Sequence, residues 1–373
     1  MHSAAPLPDD RATTRVTIRA VAAHAGVSRQ TVSNALNAPE RLSAGTLARV
    51  RRSVDALGYR PDRAARALAS RRSGLIGIRV GATPHRTASH PDRLLHELVH
   101  AARPHGYRFL AFDAPHSDDD AEIAAYDELL AGRDVDAVVV ADTHPGDRRP
   151  AWLTEHGVPF VVYGHPWGQP DAPHTWVDVD GAAGTALAVA HLVAAGHRRI
   201  AYLGWPADGA GGDARRAGWR QATVRHGLAG APELVAATDD PDAGTHALAP
   251  ALAAGGVTAV VCASDALAVG ALAAVRDAGG VPGRDVAVTG YDDSDLAQLT
   301  HPGLTSVRQP VRLVAQTLVA HVLAQLAGEG EPTAPAGFVA PELVVRPSSS
   351  SPAAPDPPAP AHRADPISIP SPV

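Results

Sequence analysis

The sequence has no lysine, a single cysteine and few aromatic residues. All 33 of its basic residues are arginines, and aromatic residues make up 4% of the chain. Cys262 has no partner for an intrachain disulfide or a cysteine zinc site, which fits a reducing compartment. No segment approaches the roughly eighteen apolar residues that a membrane span needs, and the amino terminus lacks the apolar stretch of a signal peptide. We therefore expect a cytoplasmic protein without a membrane partner.

The arginines are concentrated near the amino terminus. Residues 11–72 hold thirteen arginines against Glu40, Asp55 and Asp62, so this segment carries a charge of +10. Because the whole chain carries −6, the remaining residues carry −16. A basic end on an acidic body is typical of a protein that binds phosphates with one end and repels them with the other.

The chain has three kinds of segment. Residues 1–14 and the Pro/Ser-rich residues 347–373 have little to bury, and we predict that both ends are disordered. Between them, short β-branched runs alternate with Ala/Leu-rich helical stretches, which predicts α/β structure with parallel sheets. The expected strands are LIGIRV, YRFLAF, DAVVVA, PFVVYG, RIAYLG, TAVVCA and DVAVTG. The basic segment forms a separate small module.

This module, residues 15–60, has the pattern of an all-α helix-turn-helix DNA-binding domain. Apolar residues recur every three or four positions, and each apolar run follows a Ser or Thr that can cap a helix. The expected N-caps are Thr17, Ser28 and Ser43, the expected stops are Gly26 and Gly58, and the first two helices are predicted over 18–24 and 29–36. Three such helices share one core and leave the start of the second free to enter a major groove.

The second helix carries side chains suited to reading bases. Arginine donates two hydrogen bonds to guanine, while Gln or Asn pairs with adenine. The residues predicted to contact DNA in this module are Thr17, Ser28, Arg29, Gln30, Thr31, Ser33 and Asn34. A helical hairpin with a solvated basic face is the alternative, and the helix spacing combined with the charge favours DNA binding.

The stretches VTIRAVAAHAGVSRQTVSNALN and RLSAGTLARVRRSVDALGYRPDRAARALASRRSGLIGI resemble the amino-terminal domain and hinge of the LacI/GalR family of bacterial repressors. The resemblance implies that Arg29, Gln30 and Asn34 are the principal base readers.

The resemblance also implies a hinge within residues 61–73. Residues 62–69 would become helical on the operator, where Leu68 would wedge into the minor groove and kink the duplex. Arg63, Leu68 and Ala69 are the DNA contacts expected here. Asp62 departs from the family, in which Asn is commoner at this position.

A weaker resemblance covers the effector-binding and dimerisation domain, residues 74–346. Its landmarks are GHRRIAYLG, ARRAGW, TAVVCASDALAVGAL and AVTGYDDSDLAQLTHPGLTSVRQP. Similar proteins fold this region like periplasmic sugar-binding proteins, as two α/β lobes with a small effector between them. The implied boundaries are about 74–175 and 306–338 for an N-lobe, and about 176–305 and 339–346 for a C-lobe.

The resemblance assigns Arg215 and Asp292 to effector binding, and such a pair suits the hydroxyl groups of a sugar. The alternatives are a surface arginine and a strand-end aspartate that caps a turn. Ser264, His165 and Trp167 complete the expected site. Ser264 stands where the family usually has Asn, and GHP replaces a common Asp-Arg pair at His165. A nucleoside or another small polar metabolite therefore remains an alternative to a sugar.

A competing motif, H-E-x-x-H, occurs at residues 96–100. On a helix it sets His96 and His100 one turn apart for zinc beside the general base Glu97, and Glu122 lies at a third-ligand distance in sequence. The apolar stripe of this helix lies opposite the histidines, and nothing else in the sequence indicates a catalytic cleft. We expect no metal, no cofactor and no enzymatic activity. A periplasmic binding protein, a further alternative, has no use for the first 70 residues.

Together these patterns predict a LacI-type transcriptional regulator, a repressor, that binds palindromic double-stranded DNA under the control of a small-molecule effector. We expect a homodimer, because one recognition helix reads too few bases for a specific site. The tail after residue 346 lacks the heptads of a tetramerising coiled coil. Release of DNA by the effector and promotion of DNA binding both fit this prediction.

Overall fold

The computed structural model describes residues 16–60, 72–81, 89–115, 118–169, 171–206, 210–228, 230, 232–328 and 336–349. The chain divides into two compact units, Met1–Ser73 and Gly74–Val373. The predicted hinge contacts Arg63, Leu68 and Ala69 lie outside the described residues, as do residues 1–14 and 350–373 of the two ends predicted to be disordered.

The first unit contains three α-helices whose ends are set by capping side chains and glycines. They are α1 (Ile18–Ala25), α2 (Arg29–Asn37) and α3 (Ala44–Leu57). Thr17, Ser28 and Ser43 each accept a hydrogen bond from a backbone N–H in the first turn, as predicted. Gly26 and Gly58 end α1 and α3 in the left-handed conformation, both with a φ of 62°. The predicted caps and stops are confirmed, and the first two helices each extend one residue further than expected.

These helices bury a small shared core. Val21, Val32 and Val50 come from the three different helices and are fully buried. Burial of each such side chain contributes about 1.5–3 kcal/mol. Because Val32 faces this core, Arg29 and Gln30 at the start of α2 are left exposed.

The second unit contains two sheets of similar topology. The strands are β1 (Leu75–Arg79), β2 (Arg108–Phe112), β3 (Ala137–Val140), β4 (Phe160–Tyr163), β5 (Trp176–Val179), β6 (Ile200–Gly204), β7 (Glu233–Val235), β8 (Ala259–Cys262), β9 (Ala287–Asp292), β10 (Thr305–Arg308), β11 (Gly337–Val339) and β12 (Glu342–Val344). Within the described residues the first sheet has the strand order β11-β5-β4-β3-β1-β2, and the second has the order β12-β10-β9-β8-β6-β7. All neighbouring strands are parallel except β10 and β12.

Helices cover the faces of both sheets. They are α4 (Ser89–Ala102), α5 (Asp119–Ala131), α6 (Arg149–Glu155), α7 (Gly181–Ala194), α8 (Ala210–Arg225), α9 (Pro241–Ala253), α10 (Asp265–Asp277), α11 (Asp295–Leu299) and α12 (Val311–Ala327). Among the described helices, none combines the length and the apolar character required to cross a bilayer. All seven strands expected from β-branched runs are present, and the α/β fold class is confirmed.

The two sheets define the lobes, and their strand pairing moves the expected boundaries. β5 pairs with β4, so the N-lobe continues to Val179 rather than to about 175. β10 pairs with β9, which extends this part of the C-lobe to Arg308 rather than to about 305. β11 pairs with β5 up to Val339, one residue beyond the expected N-lobe end. β11 lies at the edge of its sheet, has only three residues and is partly exposed, so its sequence carries little periodic signal.

The start of the predicted disordered tail is instead part of the C-lobe. Ser348 and Ser349 are completely buried. The Ser348 hydroxyl accepts a hydrogen bond from the Thr305 N–H at 2.8 Å and donates one to the Val288 carbonyl at 2.6 Å. The prediction of disorder was therefore wrong for residues 347–349, because small hydroxyl side chains satisfy buried backbone groups that composition does not reveal.

Candidate functional site

The exposed start of α2 presents the predicted base readers on successive turns. Gln30 Nε2 donates to Asn34 Oδ1 at 3.0 Å, which sets these two amides side by side. The hydroxyls of Ser28 and Thr31 share a hydrogen bond of 2.9 Å within the helix cap. The side chains of Arg29 and Gln30 are therefore exposed on the helix surface, whereas those of Ser28 and Thr31 form the N-terminal cap of the helix.

The structure brings Arg215 and Asp292 together at the carboxyl end of the second sheet. Arg215 is on α8, and its Nη2 lies 3.4 Å from Oδ1 of Asp292, the last residue of β9. Its Nη1 donates to the Ala263 carbonyl at 2.5 Å. The guanidinium carbon lies 3.8 Å from the centre of the Tyr291 ring, a cation–π distance. The guanidinium is thus fixed on three sides before any ligand binds.

Asp292 is held in an unusual conformation by its surroundings. Gln309 Nε2 donates to its Oδ1 at 2.6 Å. The backbone φ of Asp292 is 104°, which is sterically costly for a residue with a side chain and is common at functional positions. Burial raises the pKa of Asp292, and the charge of Arg215 and the Gln309 hydrogen bond oppose that rise. The carboxylate therefore depends on Arg215 for its charge.

An arginine of the N-lobe reaches this strained turn. Arg93, on α4, donates from Nη1 to the carbonyl of Asp292 at 3.2 Å and to that of Asp293 at 3.1 Å. Asp293 also has a positive φ, of 45°. Arg93 is a direct link between the lobes that the sequence patterns did not indicate, because its partners lie about two hundred residues further along the chain.

Beside Arg93, the N-lobe side of the cleft contributes two buried side chains that carry no charge. His90, on α4, and Tyr163, at the end of β4, share a hydrogen bond of 2.6 Å between Nε2 and Oη. Burial, together with the nearby charges of Arg215 and Arg93, lowers the pKa of His90 to about 3. Burial also raises the pKa of Tyr163. Both side chains are therefore uncharged at neutral pH, and sequence analysis missed both.

The other predicted effector residues occupy supporting positions. His165 Nδ1 lies 2.8 Å from Asp178 Oδ2, and its ring packs on Trp167 with centroids 4.0 Å apart. Ser264 is buried, caps α10 by accepting from the Leu267 N–H at 3.1 Å, and donates to the Asp239 carboxylate. Ser264 thus fixes the start of α10, whereas Trp167 lines a separate cavity in the N-lobe.

The H-E-x-x-H residues do not form a ligand set. His96 Nδ1 lies 2.7 Å from the carbonyl of Asp92, one turn earlier in α4. The Glu97 carboxylate lies 3.7 Å from Arg312 Nε. Glu122 is buried elsewhere in the N-lobe, in ion pairs with two arginines. Glu122, the third ligand expected from the sequence, is therefore part of a buried ion-pair network away from His96 and His100.

Within the part of the chain that the structure describes, Asp119, His144 and Asp147 have potential ligand atoms within 4.8 Å of one another. These atoms already have partners. His144 Nε2 lies 2.9 Å from Asp119 Oδ1, and Arg149 Nη2 lies 2.7 Å from Asp147 Oδ2. Because Arg149 already neutralises this cluster, we interpret it as an internal ion network.

The amino-acid sequence matches two family profiles. The profile described as "Bacterial regulatory proteins, lacI family" matches residues 17–62, and that described as "Periplasmic binding protein-like domain" matches residues 189–349. The HTH-type transcriptional regulator CelR of Thermobifida fusca is 34% identical over 319 residues, which cover 84% of this chain and 93% of that protein. The lactose operon repressor of Escherichia coli is 32% identical over 311 residues, which cover 83% of this chain and 84% of that protein.

Solved structures agree with these sequence matches. The lac repressor dimer bound to operator and the anti-inducer ONPF superposes with a TM-score of 0.76 at 28% identity, over 90% of this chain and 99% of that chain. The complex of the transcriptional regulator CelR with cellobiose gives a TM-score of 0.65 at 31% identity, over 90% of this chain and all of that chain. The predicted architecture, a helix-turn-helix module followed by two α/β lobes, is confirmed. The chain therefore belongs to the lacI family of bacterial regulatory proteins and is a DNA-binding transcriptional regulator.

Proposed function

We propose that this chain is a homodimeric repressor whose affinity for a palindromic operator is controlled by a sugar bound between its lobes. The observation that carries the proposal is the Arg215–Asp292 pair, fixed in the cleft and connected to the N-lobe through Arg93. The relatives give independent support, because one is a lac repressor dimer on its operator and another a regulator in complex with cellobiose. The protein acts on DNA in the cytoplasm, and we assign it no catalytic role.

The cleft chemistry favours a polyhydroxylated, uncharged ligand. Arg215 and Asp292 offer a charged donor and a charged acceptor, each of which binds hydroxyl groups more strongly than a neutral partner does. Tyr163, which is only partly buried, adds aromatic surface to the same region. Hydrogen bonds to charged groups contribute about 1.5–3 kcal/mol each. Two such groups are enough to select a sugar over an apolar compound of equal size.

The same residues provide a route from ligand to lobe arrangement. Asp292 offers its side chain to the ligand, while its carbonyl and that of Asp293 accept hydrogen bonds from Arg93 of the opposite lobe. A ligand that repositions this turn changes the hydrogen bonds across the cleft. It thereby shifts the population between two lobe arrangements by its difference in affinity for them.

At the other end of the chain we propose Arg29, Gln30 and Asn34 as base readers. All three lie near the start of α2, and the Gln30–Asn34 hydrogen bond presents a pair of amides to one face. Thr17, Ser28, Thr31 and Ser33 are proposed as further contacts near the two helix starts, where N–H groups also favour phosphate. In the hinge, Arg63, Leu68 and Ala69 remain proposed operator contacts.

A thermal-shift screen tests the sugar site. Purified protein, Asp292→Asn and the control Asp295→Asn are melted with a panel of mono- and disaccharides and of nucleosides. Asp295 is a good control because it lies three residues away and is exposed. We expect a sugar to raise the melting temperature of the wild type and of the control by several degrees, and of Asp292→Asn by much less. Equal stabilisation of all three proteins, or stabilisation by nucleosides alone, contradicts the proposal.

A further inference from the structure

The N-lobe contains a cavity that is separate from the effector cleft. It has a volume of about 350 Å³ and lies between α6 and the loop that joins β4 to β5. This volume falls within the range of small-molecule sites. Its wall includes Pro150, Thr154, Glu155, Trp167 and His174, all of the N-lobe, and Arg215 and Asp292 are absent from the described residues that line it.

The indole of Trp167 is the main flat surface of this cavity, and its position is fixed. The ring packs on that of His165 with centroids 4.0 Å apart and planes at 45°. Asp178, on β5, holds His165 at two points. Its Oδ2 accepts a hydrogen bond from the backbone N–H of His165 at 3.0 Å and lies 2.8 Å from Nδ1 of the His165 ring. The sheet therefore holds the indole in place through His165. The buried indole N–H has no hydrogen-bond partner among the described residues.

Polar groups stand around this aromatic surface. Glu155 is exposed at the end of α6, and its carboxylate has no ion pair within the described parts of the chain. His174 is partly buried, and burial lowers its pKa, so its neutral ring offers one donor and one acceptor. An apolar plane with a few such groups matches a pyranose ring, which has an apolar C–H face and a rim of hydroxyls.

The cavity lies at the same edge of the first sheet as the effector cleft. Thr143, which lines it, comes soon after β3, and Trp167 comes soon after β4. Thr143 Oγ1 donates to the His165 carbonyl at 3.3 Å, which joins these two loops. Both loops leave the carboxyl edge of the first sheet, the edge at which Tyr163 also lies.

We propose that this cavity is a carbohydrate subsite, in which the distal ring of an oligosaccharide effector stacks on Trp167 while another ring of the same molecule binds at Arg215 and Asp292. The inference rests on the proposed function, because it assumes a sugar in the cleft. A separate monosaccharide molecule has the same chemistry as that distal ring and is the alternative occupant of the cavity.

Calorimetric titration of the full chain with glucose, maltose, cellobiose and maltotriose tests the subsite. The variants are Trp167→Ala and the isosteric Glu155→Gln, which removes a charge without opening a void. Glu128→Gln is the matched control, because Glu128 is an exposed glutamate of α5 that does not line the cavity. Unfolding curves check that each variant is folded.

We expect Trp167→Ala to weaken binding of the preferred di- or trisaccharide about tenfold and Glu155→Gln to weaken it severalfold. Glucose affinity changes less than twofold in both variants, and Glu128→Gln resembles the wild type. Equal losses for glucose and the longer sugars, or no loss in either variant, overturns the subsite. A second glucose molecule that binds the wild type and is lost in Trp167→Ala assigns the cavity to a free monosaccharide and overturns the distal-ring proposal.

Two further readouts separate the possible failures. If no sugar binds the wild type, or if Arg215→Ala does not change sugar binding, the proposed function fails. If binding requires Arg215 but does not depend on the length of the sugar, only the subsite fails.

Choline serves as a cationic probe, since Trp167 beside Glu155 also suits an organic cation. Tight choline binding that is lost in Trp167→Ala contradicts the carbohydrate assignment.

Discussion

The two lobes have matching strand orders but offer a ligand different chemistry. In the C-lobe the strand end at Asp292 carries a charged pair with Arg215, held by Gln309. In the N-lobe the corresponding strand, β4, ends at Tyr163, whose phenol bonds a neutral His90. The shared topology places both sets of residues at carboxyl strand ends, where ligands bind in open α/β folds. From this difference we expect the C-lobe to supply most of the binding strength and the N-lobe to shape the cleft.

The largest expected effect follows from removal of the C-lobe charge. Arg215→Ala leaves the buried Asp292 without its cation and removes the donor that we propose as the main one to the ligand. We expect sugar affinity to fall at least a hundredfold, which corresponds to about 3 kcal/mol. Calorimetric titration measures this loss, with Arg225→Ala, an exposed arginine at the end of the same helix, as the control. A loss below tenfold would mean that the charged pair is not the anchor.

The second effect concerns the link between the lobes. Arg93→Ala removes both hydrogen bonds from α4 to the Asp292–Asp293 turn. Because these bonds contribute about 1.5–3 kcal/mol, their loss shifts the equilibrium between lobe arrangements at least tenfold. The readout is the ratio of operator affinities with and without sugar, which we expect to change by a similar factor. Arg103→Ala, at an exposed arginine just beyond α4, serves as the control. An unchanged ratio removes Arg93 from the coupling.

The uncharged state of His90 in the N-lobe predicts a pH dependence of stability. The pKa of His90 is about 3 in the folded chain, against 6.5 for an ordinary histidine, so between these values the unfolded chain binds a proton that the folded chain does not. The free energy of unfolding therefore falls as pH decreases from 6.5 towards 3, by about 1–2 kcal/mol at pH 5. Urea unfolding at pH 7, 6, 5 and 4 should show a shallower decline in His90→Gln. Parallel curves for the two proteins would show that His90 becomes charged freely in the fold.

The smallest effect is expected from the N-lobe phenol. Tyr163→Phe removes one neutral hydrogen bond to His90 and keeps the ring. We expect the free energy of unfolding to fall by about 1 kcal/mol and sugar affinity to fall less than fivefold. Urea unfolding and calorimetry measure the two quantities. A loss of affinity as large as that of Arg215→Ala would show that the two lobes contribute equally.

Features determined by neighbours in sequence were predictable, and those determined by distant contacts were not. The caps at Thr17, Ser28 and Ser43 depend on residues three positions away, so their pattern is visible in the sequence. Arg215 and Asp292 were predicted because they match a family pattern rather than because of any local signal. Arg93 and Ser348 act on backbone groups far along the chain, which no short pattern encodes.

One measurement tests the central claim, that a sugar at Asp292 controls the DNA affinity of the helix-turn-helix unit. Fluorescence anisotropy gives the affinity of wild type and Asp292→Asn for a labelled operator, with and without the sugar found in the screen. Arg29→Ala establishes that the binding is specific. We predict that the sugar changes the operator affinity of the wild type at least tenfold, while Asp292→Asn binds operator equally with and without it. An equal response of both proteins to the sugar, or a wild type that does not respond to a sugar it binds, contradicts the account.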